Sequence, residues 1–272
     1  MKIYGIFGDP IGHSLSPAMQ NAAFRALNLD ACYHAFQVSK GRLREAIIGA
    51  QAMGFGGLNL TIPLKETALE IVQPDELALF IGAVNTVAFD KEIRGYNTDG
   101  MGALLALEYA GIRTKGKAVT IIGAGGAAKA IAYTLAGSGA IITIINRSPE
   151  RAVELADRVG GAGYGLDSLE SLVPEADVII NATPVGMKEG DHKLIDGKLL
   201  HKGQVVFDIV YNRQTELLKD AADSGALAID GVMMLVYQGA KALEIWTGLK
   251  APVDIMERAV REGLAKRARE LK

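Results

Sequence analysis

The sequence predicts an α/β fold in two domains, on three observations. Short apolar, β-branched runs alternate with segments of helical periodicity over nearly the whole chain, the pattern of strands and helices laid on a largely parallel sheet. The 32 glycines among 272 residues fall between those runs, where tight strand-to-helix turns need their freedom. With 49% hydrophobic and 22% charged residues the chain can fill two cores, and its length is close to twice that of a common domain.

In chain order, Lys2 to Phe7 reads as a strand, Pro17 to Leu27 as a helix, Tyr33 to Val38 as a strand, Arg42 to Met53 as a helix and Gly57 to Leu60 as a strand. A second series starts with AVTII at Ala118. It runs through a glycine-rich turn and a helix to AIITII, a helix from Pro149, DVIINA near residue 180 and VVFDIV near residue 207. Between the two series, Gly95 to Gly111 ends a strand and opens a helix, which puts the junction near residue 100. The chain's end is helical by pattern, with Met234, Leu235, Ala240 and Leu243 in one stripe and Ile255, Ala259, Val260 and Leu264 in the next. Lacking strands, it is expected to fold back onto the first domain. The domains are therefore 1–100 completed by 236–272, with 101–235 between them. The basic residues from Arg258 to Lys272 read as a solvated helix end favoured by the macrodipole.

Composition also excludes. Lysine and arginine (29) against aspartate and glutamate (31) leave a net charge of −2, without the basic excess that binds a nucleic-acid backbone. The single cysteine, Cys32, reads as a buried hydrophobe in a reducing compartment, and His13, His34, His192 and His201 lack metal-ligand spacing, so no metal is expected. The N-terminus is too short in apolar residues for a signal peptide, and the uncharged run Ala130 to Ile145 is shorter than a membrane span and broken by Gly137, Ser138 and Gly139. The expected setting is the cytoplasm, with no membrane partner.

After the strand Val119 to Ile122, the residues Gly123, Ala124, Gly125, Gly126, Ala127 and Ala128 fit G-x-G-x-x-A. Such a turn lets backbone N–H groups at a helix start approach a pyrophosphate, which makes the second domain a Rossmann-type, doubly wound dinucleotide site. The strand Ile141 to Ile145 ends not in a carboxylate but in Asn146, Arg147 and Ser148, with Arg151 one turn later. Two guanidinium groups and a hydroxyl can hold a ribose 2′-phosphate that a carboxylate would repel, so NADP(H) is favoured over NAD(H). Ser148 also suits an N-cap before Pro149, and both roles can hold.

The first domain places polar clusters where open α/β sheets bind ligands: Ser14 and Ser16, Asn59 and Thr61 with Lys65, Asn85 and Thr86, then Asn97, Thr98 and Asp99. Ser16 before Pro17 is either a plain N-cap or half of a carboxylate site. Lys65 and Asp99 are the ionisable pair among these amides and hydroxyls. They form either an exposed ion pair or the acid and its holder for a ketone reduction, in which the new alkoxide needs a proton.

These segments resemble the shikimate dehydrogenase family: HSLSPAMQNAAF (His13 to Phe24), NLTIPLKE (Asn59 to Glu66), IGAVNT (Ile81 to Thr86), GYNTDG (Gly95 to Gly100), IIGAGGAAKAIA (Ile121 to Ala132), NRSPERA (Asn146 to Ala152), NATPVGM (Asn181 to Met187), DIVYN (Asp208 to Asn212) and DGVMMLVYQGA (Asp230 to Ala240). They follow the family's order over nearly the whole chain. The resemblance implies NADP-dependent interconversion of 3-dehydroshikimate and shikimate on the route to aromatic amino acids. It implies Lys65 as acid and base with Asp99 paired to it, and Ser14 and Ser16 on the substrate carboxylate with Tyr211. Asn59, Thr61, Asn85 and Gln238 would bind ring hydroxyls. The glycine turn would hold the pyrophosphate, Asn146, Arg147, Ser148 and Arg151 the adenosine phosphate, and Thr183, Ile209, Gly231 and Met234 the rest of the dinucleotide. Ser148 stands where threonine is common and Ile209 where methionine is. The implied active site is a cleft with a hinge near Gly100 and Gly231, in a monomer or homodimer. The rivals are the same chemistry on quinate and a non-catalytic NADP-binding regulator; retention of both Lys65 and Asp99 speaks against the second.

Overall fold

The computed structural model describes residues 1–12 and 14–270. His13 of the serine motif, and Leu271 and Lys272 at the basic chain end, lie outside the described residues. The chain divides into two compact units, Met1–Gly102 with Val236–Lys272, and Ala103–Leu235.

In unit 1, β1 (Lys2–Gly8), β2 (Ala31–Gln37), β3 (Gly57–Leu60), β4 (Gln73–Pro74), β5 (Thr86–Phe89) and β6 (Ile93–Tyr96) form one sheet in the order β2-β1-β3-β5-β6-β4. The central β3, GLNL, is buried on both faces. β1 runs parallel to β2 and β3, and β4 parallel to β6, but β5 is antiparallel to both its neighbours. The sheet is parallel-rich, as expected, and β5 is the strand that departs from the parallel direction. The link from β5 to β6 is a tight turn in which Asp90 N–H donates to the Glu92 carbonyl (3.3 Å), far too short for a parallel crossover. One consequence decides the site: the start of β5 and the end of β6 share one sheet edge, so Asn85 lies beside Asn97 and Thr98.

α1 (Ser16–Ala26) buries Met19, Ala23 and Phe24 along one stripe. Its cap position is Leu15, so Ser16 is not the N-cap; it is already the helix's first residue, with Pro17 in the first turn. Asn21 ties α1 to β2, accepting from Tyr33 N–H (2.9 Å) and donating to the Tyr33 carbonyl (2.8 Å). α2 (Leu43–Ala52) turns Leu43, Ile47 and Ala50 into a core with Phe7, Leu58, Leu60 and Leu64. α3 (Glu76–Ile81) is capped by Asp75, and α4 (Asp99–Tyr109) leads into unit 2.

Unit 2 comprises β7 (Ala118–Ile122), α5 (Gly126–Gly137), β8 (Ile141–Ile145), α6 (Pro149–Val159), β9 (Ala162–Tyr164), α7 (Leu169–Leu172), β10 (Val178–Asn181), β11 (Val205–Asp208), α8 (Glu216–Asp223) and β12 (Leu227–Ile229). Its sheet, β12-β11-β10-β7-β8-β9, is parallel at every pairing. Counted within the unit the order is 3-2-1-4-5-6, the doubly wound arrangement, whose direction reverses between β7 and β10. Strands covered by helices on both faces read as continuous apolar runs, and VIIN of β10 is buried throughout.

α9 (Val232–Thr247) and α10 (Val253–Glu270) close the chain, most of both in unit 1. The expected stripe on α10 is met in part: Val260 is fully buried and Ala259 and Leu264 are partly so, but Ile255 is 39% exposed and Met256, one residue on, is buried in its place. α10 packs against α1, and because one residue along a helix turns about 100° around its axis, the buried face through Met256 and Val260 leaves Ile255 to its side. Nor is the basic end wholly solvated, because Arg267 donates to the Ser14 carbonyl (3.3 Å). Among the described residues, no helix is long and apolar enough to cross a membrane, and no group of His, Cys, Asp or Glu is arranged to hold a metal ion.

Candidate functional site

The polar groups of unit 1 assemble around one ion pair. Lys65 follows β3, its carbonyl fixed by Val84 N–H (2.9 Å), and its Nζ donates to Asp99 Oδ2 at 2.7 Å. The lysine side chain is 28% exposed and the aspartate 11%, so the ammonium is the member that faces solvent. Asp99 opens α4, where the helix dipole favours a carboxylate. Its second oxygen accepts from Asn85 Nδ2 (2.7 Å). Asn85 gives its other proton to Thr98 Oγ1 (3.1 Å), and its Oδ1 accepts from Thr98 N–H and the Thr86 hydroxyl, each at 2.9 Å. Both its N–H groups are spent within the fold, so Asn85 sets the Asp99 carboxylate before any ligand arrives.

Asn59 is tied as firmly. Its amide nitrogen donates to the Asn85 carbonyl and to Thr86 Oγ1, both at 3.1 Å, and its Oδ1 accepts from the Tyr33 hydroxyl (2.7 Å). The direction is forced, since a backbone carbonyl only accepts; Asn59 keeps one acceptor lone pair for a ligand. Tyr33 is 1% exposed, and burial holds its hydroxyl well above the usual tyrosine range against the opposing pull of a bond with Ser16, so it stays a neutral donor. Ser14 Oγ accepts from Ser16 N–H (3.2 Å). Thr61 follows β3, its N–H held by the Phe7 carbonyl (3.0 Å). Gln238 lies on α9 beside Gly239, whose carbonyl accepts from buried Gln20 (2.8 Å).

In unit 2 the glycine turn has the geometry a pyrophosphate requires. Gly123 has φ +119°, and a Cβ there would stand 2.9 Å from the Ala182 carbonyl oxygen, so only glycine fits. Gly125 caps α5, and it and Gly126 are exposed, with open space where a Cβ would project. The first N–H groups of this twelve-residue helix have no partner within the helix itself. Ala124 and Ala127 complete the turn. At the end of β8, Asn146 donates to the Ser148 carbonyl (3.1 Å), and Ser148 occupies the N-cap position of α6 without a side-chain capping bond. Arg147 and Arg151 are exposed and form no ion pair among the described residues.

The remaining expected cofactor residues share one buried frame. Thr183 donates through its N–H (2.9 Å) and hydroxyl (2.7 Å) to Asn181 Oδ1, and Asn181 donates to Asp208 Oδ1 (2.9 Å). Asp208, fully buried, also accepts from Val210 N–H (3.1 Å) and the Thr215 hydroxyl (2.6 Å). Burial pushes its pKa up, and those three bonds pull it back in part. Ile209 N–H donates to the Asn181 carbonyl (3.2 Å), and the Ile209 carbonyl lies so close to Gly231 that no Cβ fits there. Tyr211 follows two residues on, and Met234 is buried on α9. A cavity of about 330 Å³ beside α8 holds charges already paired, Lys193 with Asp220 and Lys219 with Glu216, and none of the residues expected to bind substrate or cofactor lines it.

Sequence reasoning gave no role to Tyr33, Asn181, Asp208 or Thr215. Asn181 and Asp208 did carry a signal, each being a polar residue that ends a wholly apolar strand; Tyr33, in an edge strand, carried none.

The family models that match the chain are described as shikimate dehydrogenase substrate binding domain (residues 6–87), shikimate/quinate 5-dehydrogenase (105–230) and shikimate 5′-dehydrogenase C-terminal domain (231–261). A shikimate dehydrogenase (NADP(+)) of Methanothrix thermoacetophila is 60% identical over 266 residues, 98% of this chain and 99% of that protein. A crystal structure of a shikimate dehydrogenase in complex with NADP+ superposes with a TM-score of 0.92 at 39% identity, covering 97% of this chain and 96% of that one. That of shikimate 5-dehydrogenase from Thermus thermophilus, with NADP(H) and shikimate, gives 0.91 at 35% identity, covering 97% and 100%.

Proposed function

This chain belongs to the shikimate dehydrogenase family, and from that premise we propose how its residues divide the reaction. It is an NADP-dependent oxidoreductase of aromatic amino acid biosynthesis, converting 3-dehydroshikimate, NADPH and a proton reversibly into shikimate and NADP+. Unit 1 takes the substrate and unit 2 the cofactor.

NADPH, when bound, supplies the hydride. Its pyrophosphate would be held by the N–H groups from Gly123 to Ala127, and its 2′-phosphate by Asn146, Arg147, Ser148 and Arg151, a set of donors without a carboxylate. Thr183, Ile209, Gly231 and Met234 line the remainder. As hydride reaches the ketone carbon, the oxygen becomes an alkoxide, and the Lys65 ammonium delivers the proton to it; in the oxidative direction the neutral amine takes the proton back. Asp99 holds Lys65 in place through the 2.7 Å bond. Ser14, Ser16 and Tyr211 take the carboxylate. Asn59 offers an acceptor to a ring hydroxyl, and Thr61, Gln238 and Asn85 complete the contacts, Asn85 chiefly by holding Asp99. The enzyme works in the cytoplasm, as a monomer or homodimer.

The observation that carries this reading is the Lys65–Asp99 pair fixed by Asn85 inside a polar frame. The experiment is a spectrophotometric assay of the purified protein with shikimate and quinate, each offered NADP+ and NADP-free NAD+. Shikimate with NADP+ should give the highest kcat/KM; a preference for quinate or for NAD+ would replace the reading with its rival.

A further inference from the structure

We infer that the C-terminal helix α10 clamps the Ser14–Ser16 loop in the shape that receives a carboxylate, with Gly263 and Arg267 as its positioning residues. The inference rests on the reading that Ser14 and Ser16 bind that group. Gly263 stands inside an eighteen-residue helix, where glycine is among the least favourable residues. The reason for it is a close approach: a Cβ there would lie 2.8 Å from Leu15 Cδ2. Leu15 is 4% exposed, so it has little room to give way. Four residues on, and so on the same face of α10, Arg267 donates to the Ser14 carbonyl at 3.3 Å. One helix face thus grips two consecutive residues of a loop that lies at the other end of the chain.

Hydrogen-bond accounting shows what the grip achieves. Ser14 N–H donates to the Ile11 carbonyl (3.0 Å), its carbonyl accepts from Arg267, and its Oγ accepts from Ser16 N–H. Every polar atom of Ser14 is then tied down except its hydroxyl proton, which has no acceptor among the described residues. A hydroxyl held in place with its proton unspent is a donor prepared for an anion. Arg267 acts through Ser14, by fixing the carbonyl that orients the loop.

The test uses the full-length enzyme and its Arg267→Ala, Arg267→Lys and Gly263→Ala variants. Amide hydrogen exchange over residues 11–16 is measured first, without ligand. It should quicken in Arg267→Ala and Gly263→Ala and recover in part in Arg267→Lys, which keeps a donor. Kinetics are then measured with shikimate and with its methyl ester. Arg267→Ala should raise KM for shikimate about tenfold, the scale of one charge-assisted hydrogen bond, with kcat, KM for NADP+ and the ester's kcat/KM within about twofold of wild type. Unchanged exchange in both Arg267→Ala and Gly263→Ala overturns the clamp, whatever the substrate proves to be. Quickened exchange with acid and ester impaired equally overturns its link to the carboxylate. A wild-type enzyme inactive on shikimate would defeat the proposed function instead, and the exchange result would still decide the clamp.

Discussion

In unit 1 both N–H groups of Asn59 and of Asn85 have partners within the fold, and the Lys65 ammonium rests on Asp99. In unit 2 the end of β8 and the start of α5 present the opposite state: Arg147 and Arg151 stand exposed without ion pairs among the described residues, and Gly125 and Gly126 are exposed at the helix start. The contrast fits the chemistry we propose for each half. A proton must be handed over at one oxygen, which demands that the donor be fixed before the substrate arrives. A phosphate is recognised by its charge, which solvated guanidinium groups can meet one at a time.

The largest effect should come from breaking the fixed half. Lys65→Ala removes the acid and should lower kcat by about 10² to 10⁴, the usual weight of general acid catalysis, while NADPH binding measured by fluorescence stays as in wild type. Near-normal turnover would remove Lys65 from the reaction. Asn85→Ala should cost less, and the double variant should lose little beyond Lys65→Ala alone, because both act on one pair. The exposed half should behave otherwise. Arg147→Ala and Arg151→Ala should each raise KM for NADPH about tenfold, leave that for NADH nearly unchanged and multiply in the double variant. Equal changes for the two cofactors would refute the phosphate assignment.

How much of this could be read from residues alone differs between the units for a physical reason. In unit 2, each strand, turn and helix is local, and the parallel order follows from alternation, so Gly123, Arg147 and Arg151 are legible in place. In unit 1 the decisive contact, Asn85 against Asp99, depends on β5 running antiparallel to β6, a pairing that periodicity does not reveal. The burial of Met256 rather than Ile255 on α10 is lost for a similar reason: two adjacent apolar residues leave the helix's rotation to its packing partner. Tyr33 is hidden because a strand's alternation says that a residue points inward but not what its hydroxyl meets there.

The smallest effect concerns a buried group that belongs to neither state. Asp208 has its folded pKa raised above the ordinary 3.8, so the native chain holds that proton more tightly than the unfolded one. Between the two values stability therefore falls as pH rises, and it levels off above the folded value. Asp208→Asn removes this dependence, so its stability should fall less than that of wild type as pH rises. Urea melts from mildly acidic to neutral pH would register it, and identical pH profiles for variant and wild type would show that the carboxylate stays ionised throughout.

The discontinuity of unit 1 bears on how the molecule is made. Unit 2 is one unbroken stretch and can complete its sheet as soon as Leu235 has left the ribosome. The part of unit 1 that precedes it cannot finish so early, because α1 awaits α10, which follows unit 2, as its packing partner. Unit 1 is thus begun before unit 2 and completed after it, and loss of α10 to a premature stop codon would leave α1 without that packing partner.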